Sequence, residues 1–391
     1  MTDKPIEDDL EGKVREMMST PRIVGIDPED PLVRKIFEDI ERRRENYQVL
    51  TSSIDKLLFF IKETNTYRQT WVVNVDGSSL RKLSFNYIPL SWSPDGNRLL
   101  LSCNKISKNT KLPTIGEEDR SIPPKDFSGE DEIMFEVGLD GRIFFIFRDK
   151  NGLFFPTYSP DGEKIYYTSY FNGNSLMVLN RVDMTTHLIA SGLGLDDKDY
   201  PSDFSLSPSG EKIVFFKQRG AKNRTNDLAL INADGSGLRI LDSAYHCSDP
   251  IFLDDVRVRY WREIMANKIR FWYTNSEGYV VFRIDKGVPN KTVRQRIITK
   301  SPDGKYTVKE SDKYLTIKGD KEIIQFKNSY DNGSISYIWS PDSTKFVFTR
   351  ESSQDYPLIY IFDIVTRQIQ TIKVLPNYKR TNIEFLQWQP R

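Results

Sequence analysis

Long hydrophobic runs, cysteine and histidine are what this 391-residue chain has least of. No stretch of about 18 apolar residues occurs, so nothing in it reads as a membrane-spanning helix. The two cysteines, Cys103 and Cys247, lack the C-x-x-C or histidine spacing of a zinc site and read as reduced structural thiols. Two histidines, His187 and His246, are too few for a three-histidine metal centre. There is no G-x-S-x-G elbow, P-loop or dinucleotide fingerprint, and no cofactor or metal is expected. Charge of one sign is also missing. The 56 basic and 55 acidic residues leave +1, so no global field draws a phosphate backbone or an anionic membrane, and neither nucleic acid nor membrane insertion is expected. The first ten residues are acidic, without the basic and apolar regions of a secretory leader. The expected location is cytoplasmic, with periplasmic or secreted as the alternative if a leader has been removed.

What the chain does have is a repeated turn. Ser-Pro-Asp-Gly stands at Ser93–Gly96, Ser159–Gly162 and Ser301–Gly304, with looser copies at Ser207-Pro208-Ser209-Gly210 and Ser340-Pro341-Asp342-Ser343. Proline presets φ at the first central position, aspartate bonds nearby backbone and glycine accepts positive φ, so the spelling has a mechanical cause. Apolar clusters flank each copy, as Ile88, Leu90 and Trp92 before it and Leu99, Leu100 and Leu101 after it. A third strand then ends at a second tight turn, such as Asn74-Val75-Asp76-Gly77 or Asn232-Ala233-Asp234-Gly235, and a fourth follows. Aromatics at 12%, with 19 Tyr and 23 Phe, suit pleated surfaces. Four strands per repeat of about 40–50 residues describe a propeller blade.

Two hidden copies set the expected number. The visible gap of 94 residues between Ser207 and Ser301 divides at Leu253-Asp254-Asp255 into 46 and 48. At the chain ends, Trp388-Gln389-Pro390 supplies the first half of a repeat and Ser53-Ile54-Asp55 with Leu57–Ile61 the second. The expectation is an all-β, seven-bladed β-propeller over residues 51–391, its ring closed by the C-terminal strand because an open ring would leave unpaired edges. The blades begin near Ser53, Ser93, Ser159, Ser207, Leu253, Ser301 and Ser340; six or eight also fit.

Residues 1–50 are expected to form a short N-terminal helical extension outside the ring. Asp30 is placed to cap a helix with Pro31 in its first turn, and Leu32, Val33, Ile36, Phe37, Ile40 and Tyr47 keep helical spacing over about four turns. Glu38/Arg42 and Asp39/Arg43 fall at i,i+4, and a shorter helix is expected around Leu10, Val14 and Met17.

Trp92-Ser93-Pro94-Asp95-Gly96, Tyr158-Ser159-Pro160-Asp161-Gly162 and Trp339-Ser340-Pro341-Asp342 resemble the repeats of TolB-like β-propellers, over about 340 of the 391 residues. The resemblance implies the fold. It leaves function open, since such repeats build periplasmic scaffolds, the propellers of prolyl-peptidase relatives and some polysaccharide lyases. The roughly 50 helical residues expected here stand where TolB has an exported α/β domain, so the chain does not read as a TolB orthologue.

The Ser-Pro-Asp-Gly turns mark one end of the blades as structural, which points to the opposite end for function. The loops there carry Tyr87, Tyr200, Tyr245, Tyr330 and Tyr378, whose flat faces and hydroxyls suit a peptide, a protein anchor or a sugar. His246, Asp249, Asp331 and Arg380 lie beside them, as do Lys379 and the run Asp196-Asp197-Lys198-Asp199, which lacks the spacing of a calcium loop. The expected function is a non-catalytic scaffold with a protein or peptide partner. The alternative is a carbohydrate-active lyase or hydrolase acting on a glycan, with His246, Asp249, Asp331 and Arg380 converging on the channel mouth. His187 reads as a strand-edge residue, and Asn104–Asp131 as a polar insertion in the second blade.

Overall fold

The computed structural model describes residues 21–42, 44, 56–64, 67–85, 87–104, 132–172, 174–193, 204–218, 226–244, 246–269, 272–284, 288–289, 299–310, 314–320, 323–327, 337–350, 358–373 and 382–388. In chain order come β1 (Arg22–Val24), α1 (Pro31–Arg42), β2 (Lys56–Thr64), β3 (Tyr67–Asn74) and β4 (Arg81–Phe85). Next are β5 (Tyr87–Trp92), β6 (Arg98–Asn104), β7 (Glu132–Gly138) and β8 (Ile143–Arg148), then β9 (Phe154–Tyr158), β10 (Lys164–Ser169), β11 (Ser175–Asn180) and β12 (Thr186–Ser191). β13 (Phe204–Leu206), β14 (Lys212–Gln218), β15 (Asn226–Asn232) and β16 (Arg239–Ala244) precede β17 (His246–Asp254), β18 (Arg257–Ile269), β19 (Trp272–Arg283) and β20 (Val288–Pro289). The last are β21 (Thr299–Lys300), β22 (Thr307–Glu310), β23 (Tyr314–Lys318), β24 (Ile323–Lys327), β25 (Tyr337–Trp339), β26 (Lys345–Arg350), β27 (Leu358–Asp363), β28 (Ile369–Lys373) and β29 (Asn382–Trp388).

These strands form antiparallel meanders, the blades of an all-β propeller fold: β29-β2-β3-β4, β5 to β8 with β1 added, β9 to β12, β13 to β16, β17 to β20, β21 to β24 and β25 to β28. The expected ring of seven is corrected here. Among the described residues five of the sheets are complete blades, with four or more strands of at least three residues. The β17–β20 sheet ends in the two-residue Val288–Pro289, where proline has no N–H to give a ladder, and the β21–β24 sheet begins with the two-residue Thr299–Lys300. The C-terminal strand completes a sheet, with Leu57 facing Trp388 and Lys62 facing Asn382, and what it closes is that sheet. The chain divides into two compact units, Met1–Arg148 with Arg296–Arg391, and Asp149–Gln295.

The helical extension is corrected as well. A single helix, α1, is described. Asp30 caps it, its Oδ1 accepting the N–H of Leu32 at 2.8 Å, and Glu38 reaches Arg34 at 3.2 Å and Arg42 at 3.9 Å. α1 spans 12 residues rather than four turns; Arg43, Tyr47 and the expected helix near Leu10 lie outside the described residues. Val33, Ile36, Phe37 and Ile40 are fully buried against Val72, Leu83, Trp92, Leu99 and Phe135, so the apolar stripe packs on the sheets of its own unit. Each such side chain contributes roughly 1.5–3 kcal/mol by leaving water. Arg22–Val24 also joins a sheet, as the parallel fifth strand beside β8.

Inner strands are buried on both faces and therefore read as continuous apolar runs, as in Ile165, Tyr166 and Tyr167 of β10 or Leu176 to Leu179 of β11. Outer strands face water and are mixed, as in β12 and β28. Among the described residues the second unit has two such cores. One joins Tyr166 and Leu176 to Phe215 and Ile231, and the other joins Val214 and Leu228 to Val258 and Tyr260.

Candidate functional site

The repeated turn is built around its serine. In Ser93–Gly96 the Ser93 hydroxyl donates to Asp95 Oδ1 at 2.5 Å and accepts the Arg98 N–H at 2.9 Å, while Gly96 N–H closes the turn on the Ser93 carbonyl. Ser159, Ser301 and Ser340 repeat it, with hydroxyl-to-aspartate distances of 2.5, 2.6 and 2.7 Å. Only a hydroxyl both donates and accepts on one small atom, which is why serine opens the motif. The aspartate in turn takes the N–H two residues on, Asn97, Glu163, Lys305 or Thr344. The glycine carries φ between 68° and 75°, and Ser343 takes φ 62° in its place.

The second turns at Asn74 and Asn232 follow a related scheme. Asp76 and Asp234 each accept both the N–H and the hydroxyl of a serine two residues on, and Asn74 and Asn232 brace the same serines at 3.0 Å. In a four-stranded meander the first and third connections lie at one end, so these turns share an end with Ser-Pro-Asp-Gly.

These bonds set the acidity of the carboxylates. Asp161 and Asp76 are lowered chiefly by the hydroxyls of Ser159 and Ser78. For Asp95, burial pushes upward but is outweighed by Ser93 and Asn97. Asp303 is brought down to about 2 by the Ser301 hydroxyl and the Lys305 N–H.

A cleft of about 630 Å³ opens at this turn end, within the first unit, between the β3–β4 turn and the β27–β28 turn. Val75, Asp76, Lys345, Asp363, Gln368 and Gln370 line it. Lys345 faces Asp363 directly across the hairpin and bonds it at 2.8 Å, holding that carboxyl down to about 2 with help from the Thr366 N–H. Gln370 Nε2 donates to the Asp76 carbonyl. Lys345 and Asp363 thus answer one another, and the Asp76 carboxylate is taken by Ser78. Sequence reasoning missed it because Lys345 and Asp363 are 18 residues apart; a hairpin register drawn from the Ser340 turn would have paired them.

Of the residues singled out in the sequence, Tyr87 opens β5 opposite Cys103, and His246 and Asp249 lie on β17, where His246 faces Glu263. Asp249 falls at a register shift between Ser248 and Ile251. Tyr200, Tyr245, Tyr330, Asp331, Tyr378 and Arg380 lie outside the described residues, as do Lys379, Asp196, Asp197, Asp199 and the insertion after Asn104. His187 sits exposed on the edge strand β12, its Nε2 at 3.3 Å from the Thr185 hydroxyl. Among the described residues no group of three or more His, Cys, Asp or Glu is arranged to hold a metal ion, and no helix is long and apolar enough to cross a membrane.

No family model matches the chain. No curated protein matches it either. Solved structures do. A structure from an analysis of two prolyl endopeptidases is 10% identical with TM-score 0.52, covering 98% of this chain and 56% of that one, so this chain spans little more than half of it. TolB from Acinetobacter baumannii is 14% identical with TM-score 0.43, covering 95% of this chain and 97% of its own. An oligogalacturonate lyase in complex with manganese is 12% identical with TM-score 0.49, covering 84% and 90%. At such identities the likeness is one of fold alone.

Proposed function

We propose that the chain is a non-catalytic binding scaffold that recognises a protein or peptide over the loop end of its blades. Tyr87, Tyr200, Tyr245, Tyr330 and Tyr378 are its aromatic anchors, and His246, Asp249, Asp331 and Arg380 supply charge around them. Cys103 and Cys247 remain reduced thiols in a cytoplasmic setting. One observation carries the reading. Nine described aspartates have shifted acidity, Asp76, Asp95, Asp161, Asp183, Asp234, Asp254, Asp255, Asp303 and Asp363, and all nine are lowered and sit at the first or third connection of their own sheet. A general acid needs the opposite shift. These carboxylates serve the architecture, and a rigid frame with its ionised groups so occupied suits recognition rather than proton transfer.

The test is a triple replacement, Tyr200→Ala, Tyr245→Ala and Tyr330→Ala. Affinity capture from the native host identifies a partner of the wild-type chain, and the triple variant should lose it while keeping its melting temperature. Undiminished capture of that partner by the folded variant overturns the proposal.

A further inference from the structure

β1 is held by an unusual set of contacts. It runs parallel to β8 through three residue pairs, Arg22 with Phe145, Ile23 with Ile146 and Val24 with Phe147. No hairpin can tie parallel neighbours, and the chain passes through α1 and six strands between Val24 and Ile143. Beyond the ladder, Ile23 and Ile26 pack on the core that contains Phe37, Phe135 and Ile146. The link to α1 is local, with Glu29 N–H on Asp27 Oδ1 at 3.0 Å and Asp30 N–H on the Asp27 carbonyl at 2.9 Å. The six residues from Gly25 to Asp30 can extend to about 20 Å.

What β1 covers is equally distinctive. β8 reads Ile-Phe-Phe-Ile-Phe-Arg, and Ile143, Phe145, Ile146 and Phe147 are all buried. The outer strands β12, β24 and β28 instead carry exposed polar or charged positions such as Thr186, Lys327 and Lys373. An apolar outer strand without a neighbour is a template for another strand. The seat is also selective. Gly25 takes φ 78° where a Cβ would collide with the Arg148 carbonyl oxygen, so the occupant must present an apolar residue and then, two places on, glycine.

We infer that the β8 edge is a strand-docking site which the Arg22–Gly25 arm of a second copy fills in trans, so that two copies exchange arms. The second copy is the occupant because its arm brings the same Ile-Val-Gly chemistry already seated here. Exchange remakes the three ladder pairs and the packing of Ile23 in trans, and gives up the local Asp27 bonds as the link to α1 straightens. The site is separate from the tyrosine end and stands or falls independently of it.

Two measurements on the full chain test this. Light scattering across a concentration series should find a dimer of the wild-type chain at high concentration and monomers of the folded Ile23→Asp and Gly25→Ala chains throughout. A labelled peptide spanning Pro21–Asp30, standing in for the second copy's arm, should bind the Ile23→Asp chain saturably and the wild type about tenfold or more weakly, because the cis arm occupies the site. The Gly25→Ala chain serves as second host if Ile23→Asp does not fold. The same peptide with alanine at the Gly25 position should not bind. A wild type that stays monomeric at every concentration overturns the inference, as does a folded arm variant that ignores the peptide or binds its alanine form equally well.

Discussion

The strict turns at Ser93, Ser159 and Ser301 close on themselves, whereas the looser ones at Ser207 and Ser340 reach toward a neighbouring blade. In the strict form the third residue is an aspartate that takes the serine hydroxyl. At Ser207 that residue is Ser209, the hydroxyls meet at 3.1 Å, and the Ser209 N–H is capped by Asp255 from the next turn at 2.9 Å. At Ser340 the glycine is replaced by Ser343, whose hydroxyl accepts the Asp303 N–H of the preceding strict turn at 3.0 Å. Departures from the motif are therefore links between blades rather than decay. The apparently degenerate Asp254-Asp255 pair divides the labour: Asp254 holds Val256, Arg257 and its own turn, and Asp255 holds its neighbour.

The largest effect that separates the two kinds of turn is expected at their glycines. Gly304, in a strict turn, has open space around a would-be Cβ, so Gly304→Ala should lose only the left-handed backbone cost of about 1–2 kcal/mol. Gly210 has the same φ of 75°, but its Cβ would lie 2.8 Å from Pro160 Cδ, a rigid ring of the adjacent turn. Gly210→Ala should therefore lose about 1–3 kcal/mol more in denaturant unfolding. Equal losses at the two sites would mean that the Pro160 contact links nothing.

The serines come next. Ser159→Ala strips a buried hydroxyl from both Asp161 and the Lys164 N–H, and should cost about 1–3 kcal/mol. Ser207→Ala loses the Lys212 N–H but only a neutral hydroxyl partner, so its cost should be the smaller of the two. An inverted order, read from denaturation midpoints, would remove the charge-assisted bond as the basis of the strict form.

A strict turn should also reveal itself to acid. Asp303 in the folded chain lies at about 2, below its ordinary 3.8. A depressed carboxylate lends stability that is complete above the ordinary value and disappears as pH falls through the folded one. Melting temperature should thus drop between about pH 4 and pH 2, and Asp303→Asn should flatten that drop while lowering stability at neutral pH. An unchanged acid profile in Asp303→Asn would show that Asp303 does not set it.

How far the chain could be read without coordinates follows the same division. Turn positions were legible because proline, aspartate and glycine restrict the backbone locally, and the Leu253 copy and the meeting of Leu57 with Trp388 followed from spacing. Blade completeness was not. Whether a sheet keeps its fourth strand depends on two or three residues, such as Pro289, that carry little periodic signal. The place of β1 was hidden too, since a parallel pairing of Ile23 with Ile146 across 123 residues leaves no local trace. Among the candidate site residues, Tyr87, His246 and Asp249 proved to be strand positions rather than loop residues. Aromatic and charged side chains near a strand end carry no marker of where the ladder stops.

The smallest expected effect is the most discriminating, because it sets the two demands on Ser343 against each other. Its φ of 62° costs about 1–2 kcal/mol that glycine would not incur. Its hydroxyl contributes about 0.5–1.5 kcal/mol through the Asp303 N–H. Ser343→Gly removes both and should leave stability nearly unchanged, while Ser343→Ala keeps the strain, loses the bond and should lie about 1 kcal/mol below the parent chain. In an Asp303→Asn background the cost of Ser343→Ala should persist if the link runs through the Asp303 N–H, and vanish if the link needs the carboxylate.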